Sequence, residues 1–167
     1  MKKLKTFLCI TISFMLLVTG CKIQTPKQHN QENENNKKAK INVSLEIKCG
    51  TILDNMDKVD EEIKDNIPKD GIILSQEKFD VPEASSVYDL LMDASKSKSF
   101  TVTSTGSSKT AYITSIAGIK DFSVGASSGW QYTVNGEFAS SSCGSYTLKA
   151  DDKVEFLFTC DLGEDLE

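Results

Sequence analysis

The chain has 167 residues, with 19 basic residues that are all lysine, 24 acidic residues and one histidine. In residues 41–167, 11 lysines stand against 22 acidic residues, a net charge of −11. This balance excludes a nucleic-acid-binding surface, which needs clustered positive charge. Because the single histidine, His29, lies before that region, histidine-dependent triads and histidine zinc sites are excluded from it. Glycine-rich phosphate-binding loops are also absent. We therefore predict that the protein is not an enzyme and has no metal site.

Residues 1–20 have the pattern of a lipoprotein signal peptide. A lysine-rich start precedes the apolar run Phe7–Val18, which is shorter than the roughly 20 residues that span a membrane. Val18-Thr19-Gly20-Cys21 resembles the lipobox of bacterial lipoproteins, in which the cysteine is diacylated and becomes the mature N-terminus. The resemblance implies lipidation of Cys21 and a location on the outer face of the bacterial cell membrane. The alternative is a plain secretory peptide that is cut near Gly20.

Residues 21–40 are predicted to be a flexible tether between the lipid anchor and a folded domain. They are rich in Gln, Asn, Lys and Glu, and Ile23 is their only sizeable apolar side chain. Such a segment cannot bury enough apolar surface to fold. Residues 41–167 are of a suitable size for one domain with a modest core.

The domain begins with a strand pattern and continues with a helical one. Apolar residues alternate with polar residues from Ile41 to Cys49, which predicts a strand with one buried face. A helix is then predicted from apolar residues at helical spacing: Ile52, Met56, Val59 and Ile63. The acidic residues between them could indicate a calcium site. Their spacing, however, distributes them along the predicted helix, which favours a solvent-exposed helix face. A short second strand is predicted at Lys78–Val81.

A second helix and several strands follow. Ser86 and Asp89 resemble a capping box, and an apolar stripe after them predicts a helix: Val87, Leu90, Leu91 and Ala94. Further strands are predicted at Phe100–Ser104, Ala111–Ile116, Ser145–Leu148 and Val154–Cys160. This order of elements predicts an α+β fold, a β-grasp-like mixed sheet with one or two helices.

The stretch Ser128–Phe138 is predicted to be an aromatic hairpin. Trp130, Tyr132 and Val134 alternate with polar residues, as in a half-buried strand. Asn135-Gly136 supplies the two residues with positive φ that a type I′ turn requires. Two interpretations remain open. The tryptophan is buried in the core, or the hairpin presents its aromatic rings to a large, flat ligand.

Three cysteines lie in the domain, namely Cys49, Cys143 and Cys160. Cys49 ends the first predicted strand and Cys160 the last, and parallel neighbours would place both thiols at one end of the sheet. Outside the cell a disulfide is chemically allowed. We predict a Cys49–Cys160 disulfide or close pair with Cys143 free. The alternative is three reduced, small apolar side chains.

Several segments, taken in order, resemble one family. The segments are Val87–Leu91, Ala111–Ile116, Gly129–Tyr132, Cys143–Tyr146 and Asp151–Phe156. Together they resemble the transcobalamin-like C-terminal domain family of bacteria, which is similar to the small β-domain of transcobalamin and intrinsic factor. The resemblance covers roughly residues 41–165. The chain departs from it at Asp152, where a glycine is common.

In the vertebrate carriers to which this family is similar, cobalamin lies between the β-domain and a large helical barrel. The resemblance therefore implies that cobalamin or a related corrinoid is bound for uptake and passed to a membrane transporter. The site residues that it implies are Tyr112, Thr114, Trp130, Gln131, Tyr132, Asn135 and Tyr146. The alternative function is a surface protein-interaction or adhesion module that binds no cofactor.

Overall fold

The computed structural model describes residues 39–166, and these residues form an α+β fold, as predicted. The strands are β1 (Lys40–Lys48), β2 (Ile72–Pro82), β3 (Val102–Thr105), β4 (Tyr112–Ile116), β5 (Ile119–Lys120), β6 (Gly129–Val134), β7 (Glu137–Phe138) and β8 (Lys153–Thr159). The α-helix is α1 (Val87–Lys98), and 3₁₀ helices span Gly50–Lys58, Glu61–Asn66 and Ser108–Thr110. None of the helices among the described residues is long and apolar enough to cross a membrane. The predicted signal peptide, the lipidation site Cys21 and nearly all of the tether lie outside the described residues.

Two sheets organise the domain. The larger sheet has the strand order β2-β1-β8-β6-β7, and the smaller one has the order β3-β4-β5. β1 and β8 are parallel neighbours, the arrangement that the predicted cysteine pair assumed, and the other pairs are antiparallel. Alternate residues of β1 and β8 enter one hydrophobic core with the apolar side of α1; they include Leu45, Ile47, Val154, Phe156 and Phe158. Burial of these side chains is the main favourable term for the fold.

The predicted capping box sets the start of α1. The Ser86 side chain accepts a hydrogen bond from the Asp89 N–H at 3.1 Å, and the Asp89 carboxylate accepts one from the Ser86 N–H at 2.8 Å. Two N–H groups that the helix leaves without partners are thereby satisfied. At the other end, Ser99 adopts a left-handed conformation with φ 61° and ends the helix.

The single helix predicted from Ile52 to Ile63 is wrong. Two short 3₁₀ helices take its place, because Val59 adopts extended backbone angles between them. The Asp60 N–H donates to the Ser123 carbonyl at 3.0 Å, which draws the chain away from a helical path. The apolar spacing still has its packing role, since Ile52, Val59 and Ile63 are buried.

Two strand predictions also need correction. β2 is longer than the predicted Lys78–Val81, since it pairs with nearly the whole of β1. Ser145–Leu148 is not a strand and contributes one isolated bridge, from Thr147 to Ser86. The structural reason is that the Leu148 N–H donates to the Ser85 carbonyl and the Tyr146 carbonyl accepts the Val87 N–H, so both residues bond to the start of α1 and not to a sheet.

The structure has Cys49, Cys143 and Cys160 as free thiols and does not contain the predicted Cys49–Cys160 bridge. In the parallel register Lys48 is opposite Leu157, so Cys160 lies two residues beyond the position opposite Cys49. The Cys160 thiol is 3.9 Å from the Thr51 hydroxyl. Burial, followed by the charges of Asp70 and Cys160, raises the pKa of the Cys49 thiol to about 12. Burial also raises the pKa of the Cys160 thiol, so both thiols are protonated at neutral pH. The disulfide stays a prediction for oxidising conditions.

Candidate functional site

A cavity of about 470 Å³ opens beside the outer edge of β6. Its walls are residues 110–113, residues 130–132 and residues 138–143, with Phe156 at its base. Ligand pockets in proteins typically have volumes of roughly 300–1,000 Å³ and apolar walls with a few polar groups. The cavity has the size and the composition of a small-molecule pocket.

The pocket exists because β7 is short. β7 pairs with only Thr133 and Val134 of β6, and the chain then leaves the sheet. Asn135 and Gly136 both have positive φ, 56° and 84°, so the predicted turn is confirmed and the hairpin is tight. Beyond it, the edge of β6 faces the loop 139–143 and not another strand.

Three side-chain hydrogen bonds hold the loop 139–143 in place. The Tyr132 hydroxyl donates to the Ser141 carbonyl at 2.8 Å. The Ser142 hydroxyl donates to the Lys109 carbonyl at 2.7 Å, and the Cys143 thiol donates to the Ala111 carbonyl at 3.4 Å. Burial raises the pKa of Cys143 to about 11, which keeps this thiol protonated as a donor. The loop is thus fixed to both neighbouring walls, and the pocket is largely preformed.

Trp130 belongs mainly to the core. Its side chain is only 6% exposed, its ring meets Phe158 edge-on at 5.2 Å, and its indole N–H donates to the Ile119 carbonyl at 3.0 Å. Tyr132 is similarly buried and stacks on Phe156 at 5.7 Å. Of the two interpretations of the hairpin, the structure favours the buried one, although both rings contribute to the pocket lining.

The accessible aromatic rings at the pocket are Tyr112 and Phe138, each 48% exposed. Tyr112 was among the predicted site residues, and Phe138 was not. Burial and then the charge of Asp121 raise the pKa of Tyr112, so its hydroxyl is a donor at neutral pH. Phe138 could have been recognised as an apolar residue placed directly after the turn, on the outermost strand. The serines at 140–142 also line the pocket, but the sequence shows them only as part of a serine-rich loop and gives no sign of a binding role.

The structure brings together four of the seven predicted site residues, namely Tyr112, Trp130, Gln131 and Tyr132. The Gln131 side chain is already engaged, because its amide donates to the Leu162 carbonyl at 3.0 Å and fixes the C-terminal turn. Thr114 does not line the pocket, and its carbonyl accepts the Asp121 N–H at 2.9 Å.

Tyr146 and Asn135 also lie outside the pocket lining. Tyr146 is half-buried beside Asp152, and burial and that carboxylate raise its pKa. The Asn135 amide donates to Asp152 at 2.9 Å, and its oxygen accepts the Lys153 N–H at 2.9 Å. Both residues therefore stabilise the turns around β8, and we do not place them in the site.

The contacts of Asp152 explain why the chain has an aspartate at this position, where the family it resembles commonly has a glycine. The residue with positive φ is its neighbour Asp151, at 67°, so no glycine is needed at position 152 for backbone freedom. The buried Asp152 carboxylate accepts the Lys149 N–H at 2.9 Å as well as the Asn135 amide. Its role is to hold two turns together.

Replacing Asn135 by alanine is expected to lower the free energy of unfolding by about 1–2 kcal/mol, because two hydrogen bonds are lost and a left-handed backbone is strained. Asn135→Gly keeps the backbone freedom and should lose less. Urea unfolding measures both changes. Ligand affinity should not change in either variant, and a loss of affinity at unchanged stability would return Asn135 to the site.

No group of three or more His, Cys, Asp or Glu side chains within residues 39–166 is arranged to hold a metal ion. The pocket offers aromatic faces, hydroxyls and backbone groups. This set of groups can bind an uncharged organic ligand.

A family model matches residues 84–159. Its description is Domain of unknown function (DUF4430), and the match runs from the residues before α1 to the end of β8, through the whole pocket. No curated protein matches the chain.

Solved structures extend the comparison. The structure of haptocorrin in complex with Cbi superposes with a TM-score of 0.51 at 18% identity, over 73% of this chain and 25% of the haptocorrin chain. This chain thus spans about a quarter of the length of haptocorrin. A Ruminococcus gnavus protein described as metal binding aligns with a TM-score of 0.42 at 13% identity, over 71% of this chain and 96% of its own. The haptocorrin likeness concerns the fold alone, and it agrees with the α+β domain predicted from the sequence.

Proposed function

We propose that the protein is a lipid-anchored, extracytoplasmic binding protein that captures cobalamin or a related corrinoid for uptake. The observation that carries the proposal is the preformed pocket of about 470 Å³ with two exposed aromatic rings at its mouth. The fold likeness to haptocorrin, whose structure contains Cbi, supports the choice of ligand class. Lipidation at Cys21 would keep the domain at the membrane, close to a transporter that receives the ligand.

The ligand would contact the mouth and enter the cavity with one edge. The cavity lies toward the small end of the range for ligand pockets, so a large ring system would rest on Tyr112 and Phe138 and insert only a substituent or a base. Aromatic faces suit a flat, partly apolar ligand, and each such contact contributes roughly 0.5–1.5 kcal/mol beyond area burial. No group in this arrangement needs to transfer a proton, and the proposed role is binding without catalysis.

The test is calorimetric titration of cobalamin into the mature chain, with Cys21→Ser to prevent acylation. We expect a dissociation constant on the order of micromolar. Tyr112→Ala and Phe138→Ala should each weaken binding by about five- to tenfold, because each removes one aromatic contact. Phe122→Ala is the matched control, since Phe122 is 61% exposed but does not line the pocket.

Absence of heat at about 100 times the expected dissociation constant would overturn the corrinoid proposal. Equal loss of affinity in the Phe122 variant would show that the ligand binds elsewhere on the domain. Either result would leave the fold assignment intact, because the fold does not depend on the ligand.

A surface protein-interaction module is the second candidate function, and one observation favours it. Phe122 and Leu162 are the most exposed large apolar side chains among the described residues, at 61% and 74%. Their N–H groups donate to neighbouring carbonyls, those of Ser128 and Ser127, so the two side chains flank one loop. If the domain docks a protein there, Phe122→Ser with Leu162→Ser will abolish partner binding and leave the cobalamin titration unchanged.

A further inference from the structure

The wall of the pocket contains a stretch of β6 backbone whose direction can be read from two hydrogen bonds. The Asn135 N–H donates to the Lys153 carbonyl at 2.8 Å, so the odd-numbered residues of this strand face β8. The Tyr132 carbonyl accepts the Ala139 N–H at 3.2 Å, so the even-numbered residues face the opposite edge. Trp130 therefore directs both its N–H and its carbonyl away from β8, because backbone groups alternate along an antiparallel strand.

Three backbone groups on this edge have no hydrogen-bond partner among residues 39–166: the Trp130 N–H, the Trp130 carbonyl and the Tyr132 N–H. β7 pairs only with Thr133 and Val134, and Ala139 bonds only to the Tyr132 carbonyl. No hydrogen bond in this region uses the Tyr132 N–H or either backbone group of Trp130. Both residues are buried and line the pocket. Backbone groups left without partners in such a place are costly, so solvent or a ligand must satisfy them.

The three groups form a row of donor, acceptor and donor, read from the Trp130 N–H through its carbonyl to the Tyr132 N–H. An added strand would satisfy such a row, but the open stretch covers little more than one residue. A single carboxamide fits it better, since its oxygen accepts from the Trp130 N–H while its NH₂ donates to the Trp130 carbonyl. The rings of Tyr132 and Phe156 line the same pocket, and aromatic walls favour a flat group.

We propose that the pocket binds its ligand through a carboxamide carried on a flat ring, which pairs with the backbone N–H and carbonyl of Trp130. This inference rests on the pocket of the proposed function and names the group that the pocket recognises. A carboxylate or ketone could not replace the amide, because neither donates to the Trp130 carbonyl. The net charge of −11 in residues 41–167 also disfavours an anionic ligand.

Benzamide and acetophenone test the inference, because they have the same size and ring and differ only by NH₂ in place of CH₃. Each is titrated into the ¹⁵N-labelled mature chain with Cys21→Ser, and the backbone amide signals are followed by NMR. Benzamide is expected to bind at least about fivefold more tightly and to shift the Trp130 and Tyr132 amide protons downfield. Equal affinities, or benzamide shifts confined to other residues, would overturn the inference.

Cobalamin titrated into the same sample separates the two proposals. Benzamide preference without any response to cobalamin supports the carboxamide site and removes the corrinoid as its ligand. Cobalamin binding that shifts residues 110–113 and 138–143 but leaves the Trp130 and Tyr132 amides unchanged supports the pocket and overturns the carboxamide inference.

Discussion

Trp130→Ala is expected to lower the free energy of unfolding by about 3–5 kcal/mol, the range for removing a large buried aromatic side chain. The substitution empties the space beside Phe158, which the indole meets edge-on at 5.2 Å, and leaves the Ile119 carbonyl without its donor. Domains of this size have total stabilities of roughly 5–15 kcal/mol, so the variant should be close to unfolding. Urea unfolding followed by circular dichroism measures the loss.

Trp130→Phe is the matched variant, because it keeps a ring in the core and removes the indole N–H. It should cost about 1–3 kcal/mol, chiefly for the unpaired Ile119 carbonyl, and should retain ligand affinity within about twofold. A Trp130→Ala protein that keeps its stability and loses its ligand would contradict the core assignment. In that case the Trp130 ring would mainly contact the ligand and would contribute little to the core.

Gly144→Ala is expected to be the other severe substitution, with a loss of about 3 kcal/mol or more. A Cβ added at Gly144 would lie 1.6 Å from the Ser108 carbonyl oxygen and 2.7 Å from its carbon. Because both atoms are backbone, no side-chain rotation can relieve the overlap, and the loop must move. The loop 139–143 ends beside this glycine, so we also expect weaker ligand binding at temperatures where the variant is folded.

Gly50→Ala is the control for the effect of an added methyl group. Apart from its chain neighbours and the backbone of its own helix, no atom lies within 4 Å of a Cβ at Gly50, and its φ is not positive. The change in stability should therefore stay within about 0.5 kcal/mol. Thermal unfolding of the two variants side by side measures the difference. Similar transition temperatures would mean that the segments 108–111 and 139–144 are not packed as closely as in this structure.

Local chemistry made much of the fold predictable. The Ser86–Asp89 capping box, the Asn135-Gly136 turn and the alternation along β1 each act within a few residues, and each gave the correct element. The break at Val59 could not be predicted, because the bond from Asp60 to Ser123 joins positions far apart in the chain. A helical apolar spacing is retained there for packing even though no α-helix forms.

The pocket was predictable only in part, for a related reason. Tyr112 and Trp130 are similar in sequence terms, as aromatic residues on predicted strands. Tertiary packing leaves the Tyr112 side chain 48% exposed and the Trp130 side chain only 6% exposed. Phe138 was missed because its exposure results from the two-residue length of β7, which the sequence does not display.

On the proposed function, a corrinoid binds between residues 110–113 and residues 138–143. Hydrogen exchange measured by mass spectrometry, with and without saturating cobalamin, tests it most directly. The proposal predicts slower exchange in peptides that cover these two segments and no change in β2, on the far edge of the larger sheet. Protection confined to the loop 122–128 and the C-terminal turn, or no protection at all, would contradict it.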